Sequence, residues 1–376
     1  MGQKGGLTVR PVSLLIKPVS GACNMACSYC FYRGDSGHNR GVMTEDTAKA
    51  LIRSVFEYAT ADVCFAFQGG EPTLAGVEFF ERFVAMAESD NKRGLPVFWS
   101  VQTNGIDPDQ KLCDFFAIKG FLVGISLDGT RDIHDSYRKT PCGQGSFDSV
   151  LKGIEAYRAA GADVNILTVV SDELARNADA SWDELAKLGL PCLQFILCLE
   201  NESGRKHYCA PTVEEYGDFL IASFDKWKHH IEIGDYISVR QFDNMVSAAL
   251  GYPCELCSFA GKCTNQLVCE SDGSVYPCDF YVDEKYLEGN ISENSVAELL
   301  NSKGALKFIS ERPCTPKECY SCSWGALCRG GCRREFNRSG KTRYCQSYRR
   351  FFKEREKEIC NVISLVKAGK IKTSRV

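Results

Sequence analysis

Three cysteines within eight residues are the first feature that could do chemistry: Cys23-Asn-Met-Ala-Cys27-Ser-Tyr-Cys30. Three thiolates so spaced can cap three irons of a cubane iron–sulfur cluster. The fourth iron is then left open to a small molecule. A structural zinc site takes four ligands and a closed shell, so a zinc reading must borrow a distant fourth cysteine. Two more groups lie downstream. One is Cys257, Cys263 and Cys278, with Gly273 ahead of the last. The other is Cys319-x2-Cys322-x5-Cys328-x3-Cys332, followed by Cys345. Eight thiolates complete two cubane clusters with no open iron, suited to electron transfer or structure, and the members of a run need not all serve one cluster. C-x2-C pairs are also common zinc signals, so a pair of zinc-ribbon-like sites is the alternative.

The 21 cysteines are an odd number in a chain of 376 residues. A secreted disulfide framework is usually smaller and carries a leader. Met1–Arg10 is Gly-rich and polar, unlike a secretory signal. No apolar run is long enough to span a bilayer, and Gly6 stands where a myristoylation signal carries Ser or Thr. These features point to metal binding in the cytoplasm, in a well-reduced or anaerobic setting, since thiolate clusters oxidise readily. A net charge of -3 argues against nucleic acid or an anionic membrane as the main partner. With 44% hydrophobic and 25% charged residues, the chain can build a core domain plus a smaller one.

The elements that must position these residues alternate. Val12–Lys17, Val63–Gln68, Val97–Gln102, Leu122–Ser126, Val164–Val170 and Leu193–Cys198 are short apolar runs that predict strands. Amphipathic segments such as Thr44–Tyr58, with Thr44 as N-cap, and Trp182–Leu188 lie between them. The pattern predicts an α/β fold with a buried parallel sheet, a partial (β/α)6 TIM-type barrel whose chemistry sits at the C-terminal strand ends. The cysteine triplet follows the first strand. Gln68-Gly69-Gly70-Glu71-Pro72 ends the second, and its glycines allow a tight turn and close backbone approach; an ordinary strand-to-helix turn with Pro72 early in a helix would look the same. Ser126-Leu-Asp128-Gly129 ends the fourth, with Arg138 beyond it, and Leu199 follows the sixth. Taken singly, Arg138 would be a solvated charge and Leu199 a core residue. Cys64, Cys192 and Cys198 lie on strands and are expected to be small buried hydrophobes. Near Tyr236 the pattern changes to a cysteine-dense, Gly-punctuated stretch. A barrel domain over 1–235 and an auxiliary-cluster domain over 236–376 are expected. The tail should be helical over Tyr348–Val366 and frayed beyond.

The triplet, its aromatic Tyr29 and its place after the first strand resemble the signature of radical S-adenosylmethionine (SAM) enzymes. The resemblance implies SAM on the open iron, yielding a deoxyadenosyl radical that removes a hydrogen atom. It implies SAM contacts at Tyr29, Gly70, Ser126, Arg138 and Leu199. The downstream cysteines resemble the twin-cluster SPASM domain. By that resemblance Cys257, Cys263, Cys278 and Cys332 hold a nearer cluster, and Cys319, Cys322, Cys328 and Cys345 a farther one, giving three 4Fe-4S clusters in all. Cys254 could substitute for Cys257. Leu14–Pro18, Cys30–Tyr32, Phe65–Pro72, Ser274–Tyr281 and Tyr344–Tyr348 narrow the likeness to anaerobic sulfatase-maturating enzymes, from about Ser13 to Phe352. This implies oxidation of a sulfatase cysteine or serine to Cα-formylglycine. Asp279 would be the base, Tyr32 and Gln68 would contact the sulfatase polypeptide, and a flavodoxin or ferredoxin would give electrons. Asp279 could instead cap a loop or sit behind the cluster ligands. The rival functions are a SPASM-type maturase that cross-links a ribosomal peptide and a zinc-stabilised binding module.

Overall fold

The computed structural model describes residues 9–32, 40–198, 209–313 and 315–371. Six strands form the expected parallel core: β1 Val12–Ile16, β2 Val63–Phe67, β3 Val97–Thr103, β4 Phe121–Ser126, β5 Asp163–Val170 and β6 Cys192–Leu197. They neighbour one another in chain order, each pair parallel. Helix α1 (Glu45–Tyr58) starts where expected, because the Thr44 hydroxyl accepts the Thr47 N–H at 3.1 Å. Helix α2 (Val77–Asp90) covers the outer face of β2. Every second residue of β2 (Val63, Phe65 and Phe67) is fully buried. Phe67 meets the rings of Phe80 and Phe83 edge-on, each at 5.1 Å. The period-2 pattern of one strand and the helical pattern of the next element thus bury a common aromatic layer.

The sheet does not stop at six. β7 (Ser238–Val239) adds parallel to β6 at one edge. At the other edge β8 (Val268–Cys269) pairs parallel with β1, in register Leu15 to Val268 and Ile16 to Cys269. β9 (Ser274–Tyr276) and β10 (Gly289–Asn290) continue antiparallel. The result is one ten-stranded sheet in the order β10-β9-β8-β1-β2-β3-β4-β5-β6-β7. It runs across residue 236, where the sequence pattern changes, so β1 is an interior strand.

The tail is helical as expected but in two pieces, Cys345–Glu354 and Glu356–Lys367. Arg355 separates them, and its guanidinium makes a two-pronged pair with Asp225 at 2.7 Å per bond. Asp225 belongs to the long helix Val213–Glu232, which opens on a Thr212/Glu215 capping box. No described helix is long and apolar enough to cross a membrane.

Phe67→Ala should destabilise the fold by about 3–5 kcal/mol through the cavity it leaves. A lowered midpoint of anaerobic thermal unfolding would show it; an unchanged midpoint would deny Phe67 its central place.

Candidate functional site

The cysteine loop is held by the turn after β2. Gly70 N–H donates to Ser20 O and Glu71 N–H to Ala22 O, both at 2.7 Å. A Cβ on Gly70 would lie 2.1 Å from the Ala22 oxygen. Glycine is therefore required because two backbones touch, one of them leading into Cys23. Glu71 is 1% exposed. Its carboxylate accepts from Thr103 Oγ1 at 2.8 Å and from Asn104 N–H at 2.7 Å, which ties the end of β3 to the same turn. Asn104 then donates to Asn24 Oδ1 at 2.7 Å, inside the triplet. Cys23 is exposed, whereas Cys27 and Cys30 are half-buried. Burial pushes the Cys27 thiol up, and the nearby Arg138 pulls it back down. Three cysteines on one loop, whose thiolates would repel one another without a bound cation, fit a cluster with one free iron.

A second buried carboxylate, Asp128, holds the loop from the opposite flank. It accepts from the Tyr29 hydroxyl, from Arg138 Nε at 2.8 Å and from Val169 N–H at 2.8 Å. Arg138 is 8% exposed, so the solvated-charge alternative is excluded. Its guanidinium also lies over the Tyr29 ring, 5.4 Å from the centroid. His134 Nδ1 accepts the Asp128 N–H at 3.2 Å; burial holds its imidazole down at about 4, hence neutral. Ser126, half-buried, ends β4 beside this group. Leu199 lies outside the described residues.

The third group lies where β1 meets β8 and β9. Lys17 is fully buried directly after β1. Its ammonium reaches Asp279 Oδ1 at 2.6 Å and Glu270 Oε1 at 3.5 Å. It sits over the Tyr32 ring, 3.7 Å from the centroid. The Tyr32 hydroxyl and Ser20 Oγ donate to the two oxygens of Glu270, the second bond at 2.8 Å. Gln68 Nε2 donates to Asp279 Oδ2 at 2.9 Å. Asp279, Gln68 and Tyr32 are thus brought together, with Asp279 directly after Cys278. Lys17 and Glu270 were not found from sequence; the one signal was a lysine closing the apolar run Leu14-Leu-Ile-Lys17.

The eight downstream thiols sort into two cavities. Cys257, Cys263, Cys278 and Cys332 line one, with Arg312 and Arg333. Cys319, Cys322, Cys328 and Cys345 line the other. Cys254 faces elsewhere, its sulfur 3.7 Å from the Asn244 carbonyl oxygen. Burial pushes Cys278 and Cys328 each up to about 12, and neighbouring thiols add to the rise. Only bound cations would make four such groups thiolates together. Among the described residues no three His, Cys, Asp or Glu side chains converge on one ion. Four thiols spread round a cavity fit a multi-iron cluster better than one zinc with bonds of about 2.3 Å. Of the strand cysteines, Cys198 is buried, while Cys64 and Cys192 are half-buried.

Comparison with known proteins agrees with this geometry. Residues 18–176 match the radical SAM superfamily, and residues 257–323 match the iron–sulfur cluster-binding SPASM domain. A cysteine-type anaerobic sulfatase-maturating enzyme of Clostridium novyi is 38% identical over 92% of this chain and 96% of its own length. A serine-type enzyme of Klebsiella aerogenes is 29% identical over 92% of this chain and 85% of its own. The solved structure of native anSMEcpe with bound AdoMet and Kp18Cys peptide superimposes with a TM-score of 0.89 at 38% identity, covering 94% of this chain and 99% of that one. At this identity and coverage, the chain belongs to the anaerobic sulfatase-maturating enzymes of the radical SAM superfamily.

Proposed function

We propose that this enzyme oxidises a cysteine of a sulfatase polypeptide to Cα-formylglycine, and that Asp279 is the base. The observation that carries the reading is the convergence of Lys17, Gln68 and Tyr32 on a carboxylate adjoining a cluster cysteine. Cysteine is favoured over serine because the cysteine-type relatives are 37–38% identical and the serine-type ones 27–29%.

SAM on its cluster supplies, when bound, removal of one hydrogen atom from an unactivated carbon, and the closed clusters supply an acceptor for one electron. Cys23, Cys27 and Cys30 would hold the first cluster. Gly70 spends its N–H on Ser20, which leaves its carbonyl for the SAM ammonium. Arg138 and Ser126 stand at the end of β4 for the carboxylate and ribose, Tyr29 lies against Arg138, and Leu199 is assigned to flank the adenine. Tyr32 and Gln68 frame the target side chain. Lys17 holds Asp279 Oδ1, so Oδ2 is the oxygen that takes the target's thiol proton once Gln68 turns to the substrate. Loss of one Cβ hydrogen atom, one proton and one electron gives the thioaldehyde, and addition of water then gives the aldehyde with loss of hydrogen sulfide. The electron donor is a flavodoxin or ferredoxin-type protein.

Incubation with SAM, a reductant and a sulfatase peptide should convert the target cysteine to formylglycine, read by mass spectrometry. An unchanged peptide despite full iron loading and SAM cleavage would sink the reading. Asp279→Asn should keep deoxyadenosine formation and cut product by about 10²–10⁴-fold, the usual worth of a general base; product at the parent rate would remove its role. Lys17→Met strands two carboxylates, Glu270 and Asp279, without their cation. It should cost about 3–5 kcal/mol of stability and lower the ratio of product to deoxyadenosine; an unaltered ratio would make Lys17 structural only.

A further inference from the structure

The segment from Arg312 to Lys353 carries eleven Lys or Arg against two carboxylates, Glu318 and Glu335. Its balance of +9 sits in a chain whose total is -3. The remainder is therefore strongly acidic, and the positive charge is concentrated in the part that wraps the Cys319, Cys322, Cys328 and Cys345 cavity. No Asp or Glu lines that cavity, whereas Arg312, Arg329, Lys341 and Arg349 do. Part of this charge has an internal use. Lys341 meets Glu318 at 2.6 Å and lies close to Cys345, so it can offset the negative charge of four thiolates.

Outside the cavity wall, Arg333 pairs with Glu311, and Arg350 pairs with Asp218 and Glu354; three other cations there are not so used. Lys317, Arg338 and Lys353 are exposed, and none makes an ion pair among the described residues. Lys317 is two residues from Cys319, Arg338 lies in the turn leading to Lys341, and Lys353 sits on the helix that begins at Cys345. Tyr320, beside Cys319, is 77% exposed. Tyr320 shares the cavity lining with Arg329, Lys341 and Arg349, and an exposed aromatic among cations is the composition of a protein-docking surface.

We infer that this face docks an acidic one-electron carrier protein over the Cys319, Cys322, Cys328 and Cys345 site. Like charge repels such a carrier from the rest of the surface, and opposite charge steers it here. Docking makes and breaks no covalent bond, and one electron per encounter is all such a carrier exchanges. The contact is small and salt-sensitive, as redox encounters are. The inference rests on the cysteines holding a cluster, and not on which peptide is the substrate.

The test uses the iron-loaded enzyme, an acidic flavodoxin as probe, and the triple variant Lys317→Glu, Arg338→Glu, Lys353→Glu. Anaerobic calorimetry should show flavodoxin binding that weakens at least tenfold in the variant. It should also weaken in the parent when salt rises to about 0.2 M, where the Debye length is below ~10 Å. The flavodoxin concentration for half-maximal formylglycine formation should rise by the same factor. Dithionite-driven formation should stay at the parent level, which keeps failure of this inference separate from failure of the proposed function. The triple Gln variant, with half the charge change, should show a smaller loss in the same direction. Flavodoxin affinity indifferent to both variants would overturn the docking site. So would a duplex DNA or sulfatase peptide whose binding the variants abolish while flavodoxin binding is spared.

Discussion

A single buried ammonium holds the two halves of this enzyme in register. Lys17 leaves β1 with its N–H bonded to Cys269 O at 2.9 Å, and its side chain is closed off from water. An isolated charge so placed costs several kcal/mol, and only well-placed partners offset it. Those partners are Glu270, directly after β8, and Asp279, directly after Cys278. The pairing therefore does two things at once. It joins the barrel to the cysteine-rich region, and it fixes the Asp279 carboxylate toward the loop end of β2, where Gln68 donates to it.

The radical-initiating side is built on the same device, a buried carboxylate whose lone pairs are spent on fixed donors. Glu71 ties the β2 turn to the end of β3, and Asp128 ties Tyr29 of the cysteine loop to Arg138 and to β5. Neither needs to touch a substrate to matter. Each removes freedom from a loop that must hold three thiols in one geometry, so the ordering is complete before a ligand arrives.

Much of this was legible in the sequence where the cause was local. The six core strands fall within one residue of their apolar runs, because a short run of β-branched and aromatic residues carries its own signal. The Thr44 cap and the glycine pair were readable for the same reason. What was not legible depends on distant partners. β8 is two residues long and is set by its distant partners, the edge of β1 and the strand β9. Lys17 reads as a strand-ending lysine until Glu270 and Asp279 are folded against it. The pairing of eight cysteines into two sets came from family likeness; the two cavities they line, and the contact of Cys254 with the Asn244 carbonyl, are visible only in the folded chain. The cationic face was missed because the whole-chain charge averages it away.

The edge pairing of β1 with β8 also sets an order of events in synthesis. Ser20 and Glu270, bonded at 2.8 Å, are 250 residues apart. At about 5–20 residues per second the ribosome needs roughly 12–50 seconds to make that span. Through that interval the first strand has an unpaired edge, and Lys17 has no counter-ion from the cysteine-rich region. Contacts so remote in sequence close late and slowly. The nascent barrel therefore stays unlatched until the cysteine-rich region emerges. Closing the β1 edge and burying Lys17 become one coupled assembly step, and a chain halted before it would accumulate with its first strand exposed to aggregation.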